Sequence, residues 1–157
     1  MDRKLVFAHY FFWKPGSKLQ NSLAGLLRSL LHDALESCRE LIIDVLPEAW
    51  DQVKSTTWQL QTSLRISEND IREAFSRLIK HTNLYKKHSF CFFIDGLDEY
   101  EGTRQYDHRD MVDLLCSWTQ AAPNEVKICV SSREHNVFTN AFHSENRPRL
   151  HDLTDQG

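Results

Sequence analysis

Two short strings in this 157-residue chain gather side chains able to handle metal and phosphate. The first is Ile94-Asp95-Gly96-Leu97-Asp98-Glu99, in which an apolar run beginning at Phe90 ends in an acid, a glycine and then an adjacent acid pair. An aspartate at the tip of a strand can hold a magnesium ion through water, and a second carboxylate can orient or deprotonate a water that attacks a γ-phosphate. Asp95 is the candidate for the metal. Asp98 and Glu99 are the candidates for the water, with the longer reach of Glu99 favouring it. A solvated acidic turn uses the same residue types, and only the whole Asp-Gly-Leu-Asp-Glu string after an apolar run sets this one apart. The second string, Val130-Ser131-Ser132-Arg133, places a guanidinium just past another apolar run. A guanidinium there could grip phosphate oxygens in a bidentate contact and sense whether a γ-phosphate is present. Arginines after strands are also ordinary surface residues, so its meaning depends on the acidic string lying nearby.

The elements that must position these strings follow from periodicity. Leu5 to Trp13 is aromatic and almost continuously apolar, the pattern of a strand buried on both faces. Lys14-Pro15-Gly16-Ser17 breaks it, and Leu19, Leu23, Leu26, Leu27, Leu30, Leu31 and Leu35 then recur at helical spacing. Between Arg39 and Ile66 neither period dominates, although Pro47 is placed to start a helix through Trp50. Ser67 and Asp70 have capping-box spacing ahead of the stripe Ile71, Ala74, Phe75, Leu78 and Ile79, which predicts a helix ending near His81. Phe90 to Asp95 predicts a strand, Met111, Leu114, Leu115 and Trp118 a helix capped by Asp107 or Asp110 with Pro123 beyond its end, and Val126 to Val130 a third strand. A short helix is expected from Val137 to Phe142 and an extended piece from Arg149 to Leu153. Strands alternating with helices predict a three-layer α/β architecture with a mainly parallel sheet, in which ligands bind beyond the carboxyl ends of the strands.

Composition bounds what else the chain can be. With 41% hydrophobic and 26% charged residues and a formal net charge of −3, residues 1–157 read as one globular domain with its own core. No lysine and arginine stripe offers the footprint of a nucleic-acid binder, and no apolar run nears the roughly 20 residues that span a bilayer, so neither nucleic acid nor membrane is an expected partner. The opening MDRKLVFAHYFFW lacks the small-residue cleavage site of a secretory signal, which makes the cytoplasm the expected location. Cys38, Cys91, Cys116 and Cys129 have no CxxC spacing and read as reduced, buried thiols. The eight histidines show neither HxxxH nor HExxH, and no serine or cysteine sits in GxSxG, so metallohydrolase and catalytic-triad chemistry find no support.

Taken together, FFWKPGSKLQNSLAGLLRSLL, FCFFIDGLDEYEG and VKICVSSRE resemble the NACHT domains of fungal NOD-like receptors, which are signal-transducing P-loop NTPases of the STAND class. The resemblance covers most of the chain. It implies that Asp95 is the magnesium-associated acid of a Walker B strand, Asp98 and Glu99 the second acidic pair, and Arg133 the sensor-1 arginine. It implies ATP and Mg2+ as the ligands of the intact domain. It also implies that nucleotide sets an equilibrium between a closed monomer and a homo- or hetero-oligomer with other NACHT proteins. The family's GxxxxGK[ST] loop precedes the FFW strand, whereas here only Met1 to Lys4 do. Lys14-Pro15-Gly16-Ser17-Lys18 lacks the paired glycines and follows the wrong strand, so it reads as a turn. The expectation is an N-terminally truncated P-loop NTPase-like fold, a partial NACHT domain without the first strand and the P-loop. The alternative is a noncatalytic interaction module that assembles with full-length NACHT relatives and regulates them.

Overall fold

The structure, a computed structural model, describes residues 3–55 and 65–142. Three strands form one sheet: β1 (Lys4–Phe11), β2 (His88–Asp95) and β3 (Val126–Val130), in the spatial order β1-β2-β3. Both pairings are parallel, with Phe11 opposite Asp95 and Ile94 opposite Val130. The class is therefore α/β with an open, all-parallel sheet, consistent with a truncated P-loop-like fold. Parallel neighbours require long crossovers. Between β1 and β2 run α1 (Leu23–Ser37), α2 (Ile42–Val45), α3 (Pro47–Ser55) and α4 (Glu68–Lys80), and between β2 and β3 runs α5 (His108–Ala121). The short α6 (Asn136–Ala141) follows β3.

The capping chemistry read from the sequence is in place. Ser67 and Asp70 close a reciprocal capping box on α4, and Asp107 and Asp110 close another on α5. Pro47 opens α3, the position where its missing N–H costs nothing. The leucine-rich helix, however, starts at Leu23 and not at Leu19, because the Leu19 carbonyl is occupied by other donors. It accepts from the Tyr10 hydroxyl at 3.0 Å and from the Ser22 hydroxyl at 2.9 Å, while the Ser22 hydroxyl in turn accepts from the Gly25 N–H. The strand expected to reach Trp13 ends at Phe11. The extended piece expected at Arg149 to Leu153 lies outside the described residues.

Burial corrects the reading of the strands as covered on both faces. Val6, Ala8 and Tyr10 of β1 and Phe90, Phe92 and Ile94 of β2 point into one core, where Phe92 meets Phe75 of α4 and Trp118 of α5 at ring-centroid distances of 5.8 and 6.1 Å. On the opposite face Leu5, Phe7 and Phe11 are exposed, and Phe93 is 43% exposed and stacked on Phe7 at 6.0 Å. The described residues thus supply the sheet and one helical layer. A continuously apolar run marks a strand made for cover on both faces, and here the described residues provide cover on one. The thiols are corrected likewise: Cys38 is buried, Cys91 and Cys116 are partly buried, and Cys129 is exposed.

Candidate functional site

At the carboxyl end of the central strand β2, Asp95 is exposed and Gly96 turns the chain with φ 70° and ψ 38°. No other described residue has a positive φ. The turn feeds a single 3-10 turn, Leu97–Glu99, anchored by the fully buried Leu97 side chain. Burying Leu97 fixes where its neighbours Asp98 and Glu99 stand.

The tip of β3 interlocks with this acidic turn. The Leu97 N–H donates to the Ser131 carbonyl at 3.0 Å, and the Ser131 N–H donates to the Ile94 carbonyl at 2.9 Å. The Ser131 hydroxyl donates to Asp95 Oδ1 and accepts from the Gly96 N–H at 3.3 Å. Asp98 Oδ1 accepts from the Arg133 N–H at 3.0 Å, and its Oδ2 lies 3.6 Å from Arg133 Nε. The Arg133 side chain is otherwise 85% exposed, free to reach a ligand beyond the sheet, whereas Asp98 is only 16% exposed. Glu99 Oε2 accepts from the Lys14 N–H at 2.8 Å, which ties the turn after β1 to the same cluster. A further stitch joins the buried Asn21 to Glu101, through Asn21 Nδ2 to Glu101 Oε2 at 3.0 Å and the Glu101 N–H to the Asn21 carbonyl at 2.8 Å.

Asp95, Asp98, Glu99 and Arg133, separated by up to 38 residues in the chain, therefore meet at the carboxyl tips of two adjacent parallel strands. Their engagements differ. Asp98 holds the Arg133 backbone and faces its guanidinium, so it serves as a brace; Glu99 uses one oxygen on a backbone N–H; the Asp95 carboxylate bonds only the Ser131 hydroxyl among the described contacts. Asp95 is thus the acid most accessible to a cation's water shell, a hard-oxygen role suited to magnesium. Sequence reasoning did not single out Ser131 as the partner of Asp95. Its signal was available in the register, since Val130 pairs with Ile94 and the next residue on each strand must be adjacent.

Residues 2–133 match the family described as Nephrocystin 3, N-terminal. The chain belongs to this family. The nephrocystin 3 N-terminal match runs through all three strands and takes in Asp95, Asp98, Glu99 and Arg133. No curated protein and no solved structure matches the chain. Among the described residues of this family member, no helix is long and apolar enough to cross a membrane.

Proposed function

We propose that this nephrocystin 3 N-terminal chain is the Walker B and sensor-1 part of a NACHT-type, nucleotide-gated signalling ATPase that works in the cytoplasm. The observation that carries the reading is the meeting of Asp95 with Ser131 and of Asp98 with Arg133 at neighbouring strand tips. In the intact domain Asp95 holds Mg2+ of Mg-ATP through water, Glu99 orients or deprotonates the attacking water, and Asp98 fixes the loop that presents Arg133 to the γ-phosphate. Hydrolysis or exchange of the nucleotide alters the Arg133 contact and with it the equilibrium between closed and assembled forms, with other NACHT proteins as the partners.

The sheet has room for the phosphate-binding strand. Among the described residues β1 and β3 are both edge strands; on β1 the His9 N–H is already engaged by Asp33 Oδ2 of α1 at 3.1 Å, and β3 is the edge next to the site. A parallel strand added beside β3 would bring a GxxxxGK[ST] loop, which these 157 residues do not contain, next to Arg133 and Asp95.

The test is to fuse a strand, P-loop and helix of the NACHT pattern ahead of Arg3 and measure nucleotide binding and turnover. The fused protein is expected to bind Mg-ATP and hydrolyse it slowly. Asp95→Ala should then weaken magnesium-dependent binding, Glu99→Gln should keep binding and slow turnover, and Arg133→Ala should blunt discrimination between ATP and ADP. A folded fusion with no dependence on these residues would favour the second reading, a noncatalytic interaction module. The observation that favours that module is the open apolar sheet face around Phe7 and Phe93.

A further inference from the structure

At the opposite end of the sheet from Asp95, three side chains from three different elements converge. Cys38 is the residue that caps the carboxyl end of α1, Glu40 belongs to the 3-10 turn Arg39–Leu41, and His88 opens β2. Their ligand atoms, Cys38 Sγ, a Glu40 carboxylate oxygen and a His88 ring nitrogen, all lie within 4.8 Å of one another. Cys38 is 0% exposed and His88 5%, while Glu40 is exposed, so the cluster lies at the edge of the core and is open to solvent on the Glu40 side.

The hydrogen bonding of His88 makes the cluster more than a coincidence of residue types. Its Nδ1 lies 3.2 Å from the Leu84 carbonyl oxygen, which can only accept, so Nδ1 carries the proton. In the neutral ring Nε2 then holds a lone pair, and that lone pair faces Glu40 Oε1 at 3.2 Å. A second ring proton, with Nε2–H donating to the Glu40 carboxylate as an ion pair, satisfies this contact, and a cation held by both atoms satisfies it equally. A backbone carbonyl orienting the far ring nitrogen is also how metal-bound histidines are held.

We infer that Cys38, Glu40 and His88 bind a divalent cation of the zinc class, with water as the fourth ligand. One soft sulfur, one imidazole nitrogen and one carboxylate oxygen form a donor set that suits zinc and disfavours magnesium or calcium. Metal-ligand bonds of about 2.0–2.3 Å in a tetrahedron put ligand atoms roughly 3.3–3.8 Å apart, and the nitrogen-oxygen pair, at 3.2 Å, stands just inside that separation. On binding, the Cys38 thiol releases its proton to solvent, and thiolate plus carboxylate balance the dication. Two positive centres compete with the metal, a second proton on the His88 ring and Lys4, which lies opposite His88 in the β1-β2 register. Its ammonium donates to the Ser37 carbonyl and lies close enough to Cys38 to oppose the upward push of burial on that thiol.

Metal-stripped protein titrated with Co2+ and with Zn2+ decides the matter. One Co2+ per chain should bind with a thiolate charge-transfer band in the near ultraviolet, and Zn2+ should displace it. Cys38→Ser should abolish the band, Glu40→Gln, at an exposed position, should weaken binding roughly tenfold or more, and Lys4→Gln should tighten it by removing a like charge. Absence of the band in the parent, its survival in Cys38→Ser, or unchanged affinity in Glu40→Gln would overturn the site. Circular dichroism of each variant confirms that it is folded. If the parent takes no metal, the His88 ring proton and Lys4 supply the positive charge and the inference fails.

Discussion

Gly96 is where the backbone itself constrains the candidate site. A Cβ added there would sit 2.9 Å from the Phe12 carbonyl oxygen, and the φ of 70° is one that side chains with a Cβ adopt at a cost of about 1–2 kcal/mol. Gly96→Ala should therefore lower stability by at least that amount, read as a lower denaturation midpoint with an unchanged slope; an unaltered midpoint would show that the turn is relaxed. Asp107 offers a second residue-scale check, this time in pH. The N–H groups of Asp110 and Arg109 hold its carboxyl below the usual aspartate range. Since the folded form has the lower pKa, the stabilisation is complete above the ordinary carboxylate range and is lost as pH falls through the folded value. Asp107→Asn should melt earlier than the parent at neutral pH, and the gap should close on acidification. A gap that is constant with pH would assign the cap no charge component.

Within β2, alternation separates residues that look alike in sequence. Phe92 is fully buried between Phe75 and Trp118, so Phe92→Ala removes a large core side chain and should cost about 3–5 kcal/mol. Phe93, one residue on, lies on the open face, and Phe93→Ala should cost less than about 1 kcal/mol. Chemical denaturation of the two variants side by side tests the one-sided sheet, and equal losses would reject it. At the same scale, the Ser131 hydroxyl bridges β3 to both Asp95 and Gly96. Ser131→Ala should lower stability by about 1 kcal/mol, the ordinary net worth of such bonding, as measured by thermal melting.

For the whole molecule the acidic turn and Arg133 lie together at one end of the sheet, and under the proposed reading a phosphate ligand also needs a cradle of backbone N–H groups. These 157 residues contain no GxxxxGK[ST] string, and the Lys14-Pro15-Gly16 segment is a turn in which the Gly16 N–H donates to the Trp13 carbonyl at 2.9 Å. Isothermal titration of the 157-residue chain with Mg-ATP should accordingly give weak binding or none. Submicromolar affinity would mean that Asp95 and Arg133 hold nucleotide without a P-loop, and would redraw the mechanism.

The pattern of residues alone determined the order of strands and helices outside residues 39–66, the capping box of α4, a cap for α5 at Asp107 or Asp110, the turn after β1 and the acidic string at a strand tip, because each depends on neighbours within a few positions. Helical spacing and cap chemistry are local, and they held where the chain was free to follow them. The later start of α1 has a local part, Ser22 capping the Gly25 N–H and bonding the Leu19 carbonyl, and a tertiary part, the Tyr10 hydroxyl of β1 donating to that same carbonyl. An apolar run could not say whether both of its faces are covered, since that depends on how many helices arrive, and Phe93 stayed exposed. The partners of the site residues came only from strand register, which set Ser131 beside Asp95 and Arg133 beside Asp98. The same holds for Cys38, Glu40 and His88: separated by up to 50 positions, they carry no spacing signature, and only a parallel sheet with a long crossover returns the chain to put them together.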